Sequence, residues 1–199
     1  MDATAQAARL RTGPLDPSHR ARLAELLRAT GAFSEDEVSV ALELFDEGIG
    51  NREAERVDSR LPDPDSRLHS PPASTTYRFL GAFDRDGDLA GYVCYGPTPG
   101  TDRTFDLYWI AVHPAAQGTG SGTLLLSEVE RRLTDDDARM LVVETSSRSG
   151  YDATRGFYAR RGYVEAARTR DFYAPADDRI MYVKRFHGRP ARGAGVQAK

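Results

Sequence analysis

Apolar and polar positions along the chain change period several times, and each change marks an element. A first helix is predicted over Arg20–Ala29, closed by Gly31 where a left-handed cap is needed. Ser34 opens a second helix. Ser34 and Glu37 stand at capping-box spacing, and Val38, Leu42, Phe45 and Ile49 recur as a helical stripe for burial. Gly50–Ser74 is rich in Arg, Asp, Pro and Ser with little apolar period, and reads as a long irregular loop. From Thr75 the period shortens. Tyr77–Phe83 and Leu89–Tyr95 are predicted strands joined by Asp84–Asp88, in which Asp86-Gly87 signals a tight turn. Phe105–Val112 is a third strand. A glycine-rich turn leads into a helix over about Gly120–Leu133, with Leu125, Val129 and Leu133 at spacings of one turn. Met140–Glu144 reads as a strand, Ala153–Arg161 as a short helix, and Tyr163–Arg168 and Arg179–Phe186 as closing strands. The order, helix, helix, three strands, helix, strand, helix, two strands, predicts a mixed α/β (α+β) domain with both antiparallel and parallel pairing. Residues 1–19 and the tail 187–199 are small, polar and marked by Pro or Gly, and are expected to be flexible; 20–186 is expected to form one domain.

Composition narrows the function classes. Of the 199 residues, 40% are hydrophobic, enough for a real core. A net charge of −3 gives no global attraction to nucleic acid or to an anionic membrane. Arg20, Arg22 and Arg28, and Arg160 and Arg161, read as solvated helix faces. No apolar run approaches the roughly 18 residues of a membrane span, and Met1–Thr12 lacks the apolar segment of a secretory signal. Cys94 is the single cysteine, so no internal disulfide can form; it is expected to be a buried small hydrophobe in a cytoplasmic protein.

The candidate chemistry lies in Val112–Gly122, after a strand and at the start of a helix. Glycines at 118, 120 and 122 let the backbone turn sharply and approach a ligand without a Cβ in the way. A helix start offers free N–H groups and partial positive charge, which suits a phosphate or pyrophosphate. No Lys-Ser/Thr follows the last glycine, so this is not a P-loop, and the G-x-G-x-G spacing departs from the dinucleotide fingerprint.

Gln117-Gly118-Thr119-Gly120-Ser121-Gly122 resembles the Q/R-x-x-G-x-G/A signature of the GNAT N-acetyltransferase superfamily. Trp109-Ile110-Ala111-Val112-His113-Pro114 resembles that family's fourth strand and its V-x-P exit. Thr154–Tyr163 resembles its A-x-x-F-Y-x-x-x-G-F helix and strand, and Asp171-Phe172-Tyr173-Ala174-Pro175 resembles a bacterial subgroup of unassigned substrate. The resemblance covers about residues 76–186. It departs where many relatives have an asparagine seven residues before the tyrosine: Tyr151 stands there, with Asp152 next, and Asp152 is taken as the cofactor contact.

The resemblance implies a GNAT fold: a mixed, mostly antiparallel central sheet with a V-shaped splay between strands 4 and 5, flanked by helices. It implies acetyl-CoA as co-substrate and no metal. Backbone groups of Ile110, Ala111 and Val112 would hold the pantetheine arm and the oxyanion, and Gln117–Gly122 (Gln117, Gly118, Thr119, Gly120, Ser121, Gly122) the pyrophosphate. Tyr158 is the candidate general acid, since a tyrosine is protonated at neutral pH and can donate to the leaving thiolate. Asp106, six residues before Val112 at the position of the base in histone-acetylating relatives, and Glu144, at a strand end, are the candidate bases. His113 lies in the exit turn and is read as a loop residue. Tyr108, Trp109 and Tyr173 are candidates for lining the acceptor pocket. Cys94 lies outside the motifs, which favours direct attack in a ternary complex over a covalent intermediate. The expected acceptor is a small-molecule or amino-acid primary amine, with no nucleic acid and no membrane as partner; a homodimer is compatible with the sequence. A non-catalytic acyl-CoA sensor of the same fold, and an acetyltransferase acting on protein or tRNA-linked amines, stay open as alternatives.

Overall fold

The computed structural model describes residues 10–58 and 77–186, of which 51–58 are described by backbone alone. The elements are β1 (Arg11–Pro14), α1 (Arg20–Ala29), α2 (Glu35–Asp58), β2 (Arg78–Phe83), β3 (Leu89–Pro97), β4 (Thr104–Val112), α3 (Ser121–Asp135), β5 (Met140–Ser146), α4 (Asp152–Ala159), β6 (Val164–Ala174) and β7 (Asp177–Arg185). The strands follow the order β1-β2-β3-β4-β5-β7-β6. β4 and β5 pair in parallel, while β1–β2, β2–β3, β5–β7 and β7–β6 pair antiparallel. The parallel ladder covers Thr104–Leu107 against Met140–Val143. No helix among the described residues is long and apolar enough to cross a membrane.

Local chemistry explains most boundaries. Gly31 takes φ +63° directly after α1. At the start of α2 the capping box forms: the Ser34 N–H donates to Glu37 Oε2 (2.7 Å) and the Glu37 N–H to Ser34 Oγ (3.3 Å). Two expectations are corrected. α2 runs through 50–58, so the long loop expected from Gly50 is helical at its start. The sequence Asn51–Arg56 is made mostly of good helix formers and the next proline is Pro62. The remainder of that loop, like residues 1–9 and the tail 187–199, lies outside the described residues. The N-terminal segment, expected to be flexible to residue 19, contains β1 and a capped turn at Pro17–His19. Arg11-Thr12-Gly13-Pro14 has no apolar period; it is a strand because its backbone pairs with Pro14↔Leu80 through Arg11↔Phe83 on β2.

The chain forms two compact units. Among the described residues, the first comprises those up to Pro97 together with Tyr108–Val129. Its core is the apolar face of α1 (Leu23, Leu26, Leu27) and the α2 stripe Val38, Leu42, Phe45 and Ile49, packed on Phe79, Tyr92 and Cys94. Each such side chain contributes roughly 1.5–3 kcal/mol on burial. Cys94 is fully buried, and burial pushes its thiol pKa far up, as fits a packing residue.

The second unit comprises Thr98–Leu107 and the described residues from Glu130 onward. Register fixes its two faces. Asp106 pairs with Val142, and Glu144 lies two residues further along β5, so Asp106 and Glu144 share a face. Val143 pairs with Tyr182 on the opposite face. Tyr182 stacks with Tyr158 of α4 at 6.4 Å, so α4 covers that opposite face. β6 ends the strand order; all its residues but the last are exposed, and its register with β7 shifts twice.

Candidate functional site

The first unit holds the glycine turn. The His113 N–H donates to the Ala90 carbonyl (2.9 Å), and His113 Nδ1 accepts from the Ala115 N–H (3.3 Å), so this side chain caps the turn. Gln117 Nε2 donates back to the Val112 carbonyl (3.3 Å), tying the turn to the end of β4, where Ile110, Ala111 and Val112 lie. Gly118 and Gly120 take φ +75° and +98°, a backbone open mainly to glycine. A Cβ at either would meet no atom within 4 Å, so both glycines border open space. Among the described residues their N–H groups have no hydrogen-bond partner. Ser121 Oγ donates to Thr119 Oγ1 (2.9 Å), which donates to the Ala116 carbonyl (2.6 Å). Both hydroxyl protons are thus consumed inside the turn, and the Thr119 N–H donates to the Ala116 carbonyl (3.4 Å), leaving Ser121 and Gly122 to offer backbone N–H groups at the start of α3. The turn can hold an anion through main-chain donors alone.

The second unit holds Tyr158. Its residue is 2% exposed, with its ring among Phe157 (5.3 Å), Tyr163 (5.4 Å) and Tyr182. Burial pushes its hydroxyl pKa well above the ordinary value, which keeps it protonated at neutral pH. Among the described residues no group hydrogen-bonds this hydroxyl. Its neighbour behaves differently: the Tyr163 hydroxyl donates to Glu130 Oε1 (3.0 Å), and Lys184 Nζ donates to Glu130 Oε2 (2.7 Å). One tyrosine hydroxyl is locked into a structural network, and the other is engaged by no described residue.

The two candidate bases differ in surroundings. Asp106 is half-buried; desolvation raises its pKa, while the Thr98 hydroxyl, donating at 2.8 Å, pulls it back. Glu144 is exposed, 3.6 Å from Arg179. Asp152 begins α4 and its carboxylate is held by Arg155, which also donates to the carbonyls of Ser146 (2.6 Å) and Arg148 (2.9 Å). Tyr108 and Trp109, in the first unit, pack edge-on against Tyr77 (5.2 Å) and Phe33 (5.1 Å), whereas Tyr173 of β6 stands half in solvent. No group of His, Cys, Asp or Glu among the described residues is arranged to hold a metal ion.

Sequence reasoning did not single out Arg179 or Phe172. The Arg179 guanidinium lies 4.2 Å from the Phe172 ring centroid. The available signal was the Asp171–Pro175 motif, but a motif does not tell which strand residue its aromatic ring meets. Behind them Asp177 is 3% exposed; it accepts from Ser146 Oγ (2.5 Å) and pairs with Arg148 (2.9 Å), fastening the β6–β7 turn to the end of β5.

A mostly antiparallel sheet with one parallel strand pair, flanked by helices, is the fold of GNAT acetyltransferases. The chain belongs to the acetyltransferase (GNAT) family, whose model matches residues 44–163. It is similar to a GNAT-family protein from Desulfovibrio desulfuricans, at 37% identity over 88% of this chain and 97% of that one, with a TM-score of 0.70. It shares its fold with the ribosomal-protein-S18-alanine N-acetyltransferase of Escherichia coli, at 16% identity, 92% and 98% coverage and a TM-score of 0.65. A Salmonella typhimurium protein solved with acetyl-CoA has the same fold, at 17% identity, 93% and 98% coverage and a TM-score of 0.63. A search of curated proteins found no match.

Proposed function

We propose that the protein transfers acetyl from acetyl-CoA to the primary amine of a small molecule or amino acid, by direct attack in a ternary complex. The observation that carries this reading is Tyr158, a buried tyrosine whose hydroxyl is protonated and unengaged among the described residues. The acyl donor is supported by the family and by a relative solved with acetyl-CoA. The free N–H groups of Gly118 and Gly120 and the start of α3 suit its pyrophosphate. Ile110, Ala111 and Val112 are assigned to the pantetheine arm and the oxyanion on the resemblance alone.

The amine nitrogen attacks the thioester carbonyl, the C–N bond forms, and the C–S bond breaks on collapse of the tetrahedral intermediate. The amine proton goes to a carboxylate and the departing thiolate takes the Tyr158 proton. Asp106 is assigned as the base: half-burial raises its proton affinity, and the Thr98 hydroxyl holds it in place. Asp106 and Glu144 lie on one sheet face of the second unit, and α4 with Tyr158 covers the other. Buried Cys94, its thiol pKa driven up, offers no nucleophile for a covalent route.

The test is a panel of primary amines with acetyl-CoA, read by release of free CoA thiol and by mass spectrometry of the N-acetylated product. Amine-dependent thiol release with a matching product is the expected result. Acetyl-CoA binding without release by any amine would overturn the enzyme reading in favour of a sensor module.

A further inference from the structure

Arg179 is oriented but unsatisfied. It stacks on the Phe172 ring at 4.2 Å, its side chain is 31% exposed, and no described residue accepts a hydrogen bond from its guanidinium. Its charge partner Glu144 stands 3.6 Å away, beyond hydrogen-bond distance. Two arginines of the same unit are not left this way: Arg168 donates to both Glu165 oxygens and to Asp178, and Arg155 to Asp152 and two carbonyls. A planar guanidinium held by an aromatic face, with its donors vacant, matches a carboxylate in two-pronged geometry.

The neighbourhood adds two further requirements. Glu144 shares a face with the assigned base Asp106 and places a negative charge beside the Arg179 positive one, at a spacing that suits the adjacent ammonium and carboxylate of a zwitterion. Phe172 and Tyr173, two of the few large apolar side chains exposed among the described residues, are 50% and 49% exposed and meet edge-on at 5.0 Å. Burial, and then the charge of Glu144, push the Tyr173 hydroxyl pKa up, so this ring belongs to the same cluster. The Asp177 tether to Ser146 and Arg148 holds the β6–β7 turn in place.

We propose that Arg179 is the carboxylate-binding residue for the acceptor, and that the acceptor is an amino acid with an apolar or aromatic side chain; this rests on the N-acetyltransferase reading above. The zwitterion lies across the Glu144–Arg179 pair, its ammonium on Glu144 and its carboxylate on Arg179, with its side chain against Phe172 and Tyr173.

Matched probes test this: L-phenylalanine, L-phenylalaninamide and 2-phenylethylamine, then L-leucine and isopentylamine, each with acetyl-CoA and thiol release as readout. The amino acids should exceed their carboxylate-free partners in kcat/KM by about 10–100-fold, the worth of charge-assisted hydrogen bonds. In Arg179→Gln that ratio should collapse towards one, mainly through KM for the amino acid, and Arg179→Lys should recover part of it. Calorimetry checks the underlying reading separately: both variants should bind acetyl-CoA within about twofold of the parent, given that fold and cofactor turn are untouched. Equal kcat/KM for acids, amides and amines, or an unchanged ratio in Arg179→Gln, overturns the inference. Acetyl-CoA binding with no turnover of any of the five probes also overturns it, while leaving transfer to other amines standing. Absence of acetyl-CoA binding removes the functional reading and the inference together.

Discussion

Replacing Tyr158 by Phe separates its proton from its packing, and Tyr163→Phe is the natural control. Phenylalanine keeps the buried ring of residue 158 among Phe157, Tyr163 and Tyr182, and removes a hydroxyl that no described residue engages. The stability cost should stay within about 1 kcal/mol. Removing a general acid should lower kcat by about 10²–10⁴-fold, with acetyl-CoA affinity retained. At residue 163 the same change removes the hydrogen bond to Glu130, a charged acceptor in a part-buried network with Lys184. That loss should be about 1.5–3 kcal/mol, a drop in Tm of about 3–12 °C, with kcat nearly intact. Thiol-release kinetics, calorimetric titration with acetyl-CoA and thermal melts of both variants measure these quantities. Parental turnover in Tyr158→Phe refutes the assignment. Equal kcat losses in both variants would also refute it, by showing that the ring cluster rather than the proton matters.

Three further outcomes are expected. Gly120→Asp places a side chain at φ +98° and a negative charge at a main-chain anion site, so acetyl-CoA binding should fall by at least about 100-fold on titration; unchanged affinity would remove the turn from cofactor binding. Asp106 serves as base only when ionised, and its pKa is raised by desolvation, so kcat/KM should climb with pH along a limb lying above the ordinary carboxylate range; Asp106→Asn should abolish that limb, and its persistence would transfer the role to another group. Asp177→Ala deprives the Ser146 hydroxyl of its acceptor and Arg148 of its partner. A loss of about 2 kcal/mol, or about 4–8 °C in Tm, is expected, and a melt at the parental temperature would contradict the tethering role.

What was legible in the sequence had local causes. Gly31 and the Ser34–Glu37 pair set helix ends through backbone groups a few residues away. The stripe from Val38 to Ile49 was readable because burial has a period. β1 was not readable, since Arg11–Pro14 depends on a backbone ladder with residues about seventy positions downstream, for which no apolar pattern is needed. The resemblance nevertheless required it: Trp109–Pro114 matched a fourth strand where the pattern counted a third, and β1 supplies the difference. The glycine turn and Tyr158 were legible as motifs. The inward commitment of the Thr119 and Ser121 hydroxyls was not, nor was the meeting of Arg179 with Phe172. Both depend on side-chain directions, the second across a strand pair whose register shifts between Thr169 and Ala174.

That irregular outer strand also bears on how the protein behaves at high concentration. A strand at the end of a sheet is a template on which another chain can add by simple backbone pairing, the first step towards fibres. β6 carries Glu165, Arg168, Arg170 and Asp171 along its length, Asp171 turns to φ +51°, and its ladder to β7 breaks step twice. An incoming strand would face bound charges and a backbone that does not stay in phase for more than a few residues. The same stretch that displays Phe172 and Tyr173 to solvent is therefore protected against the association that exposed aromatic strands invite.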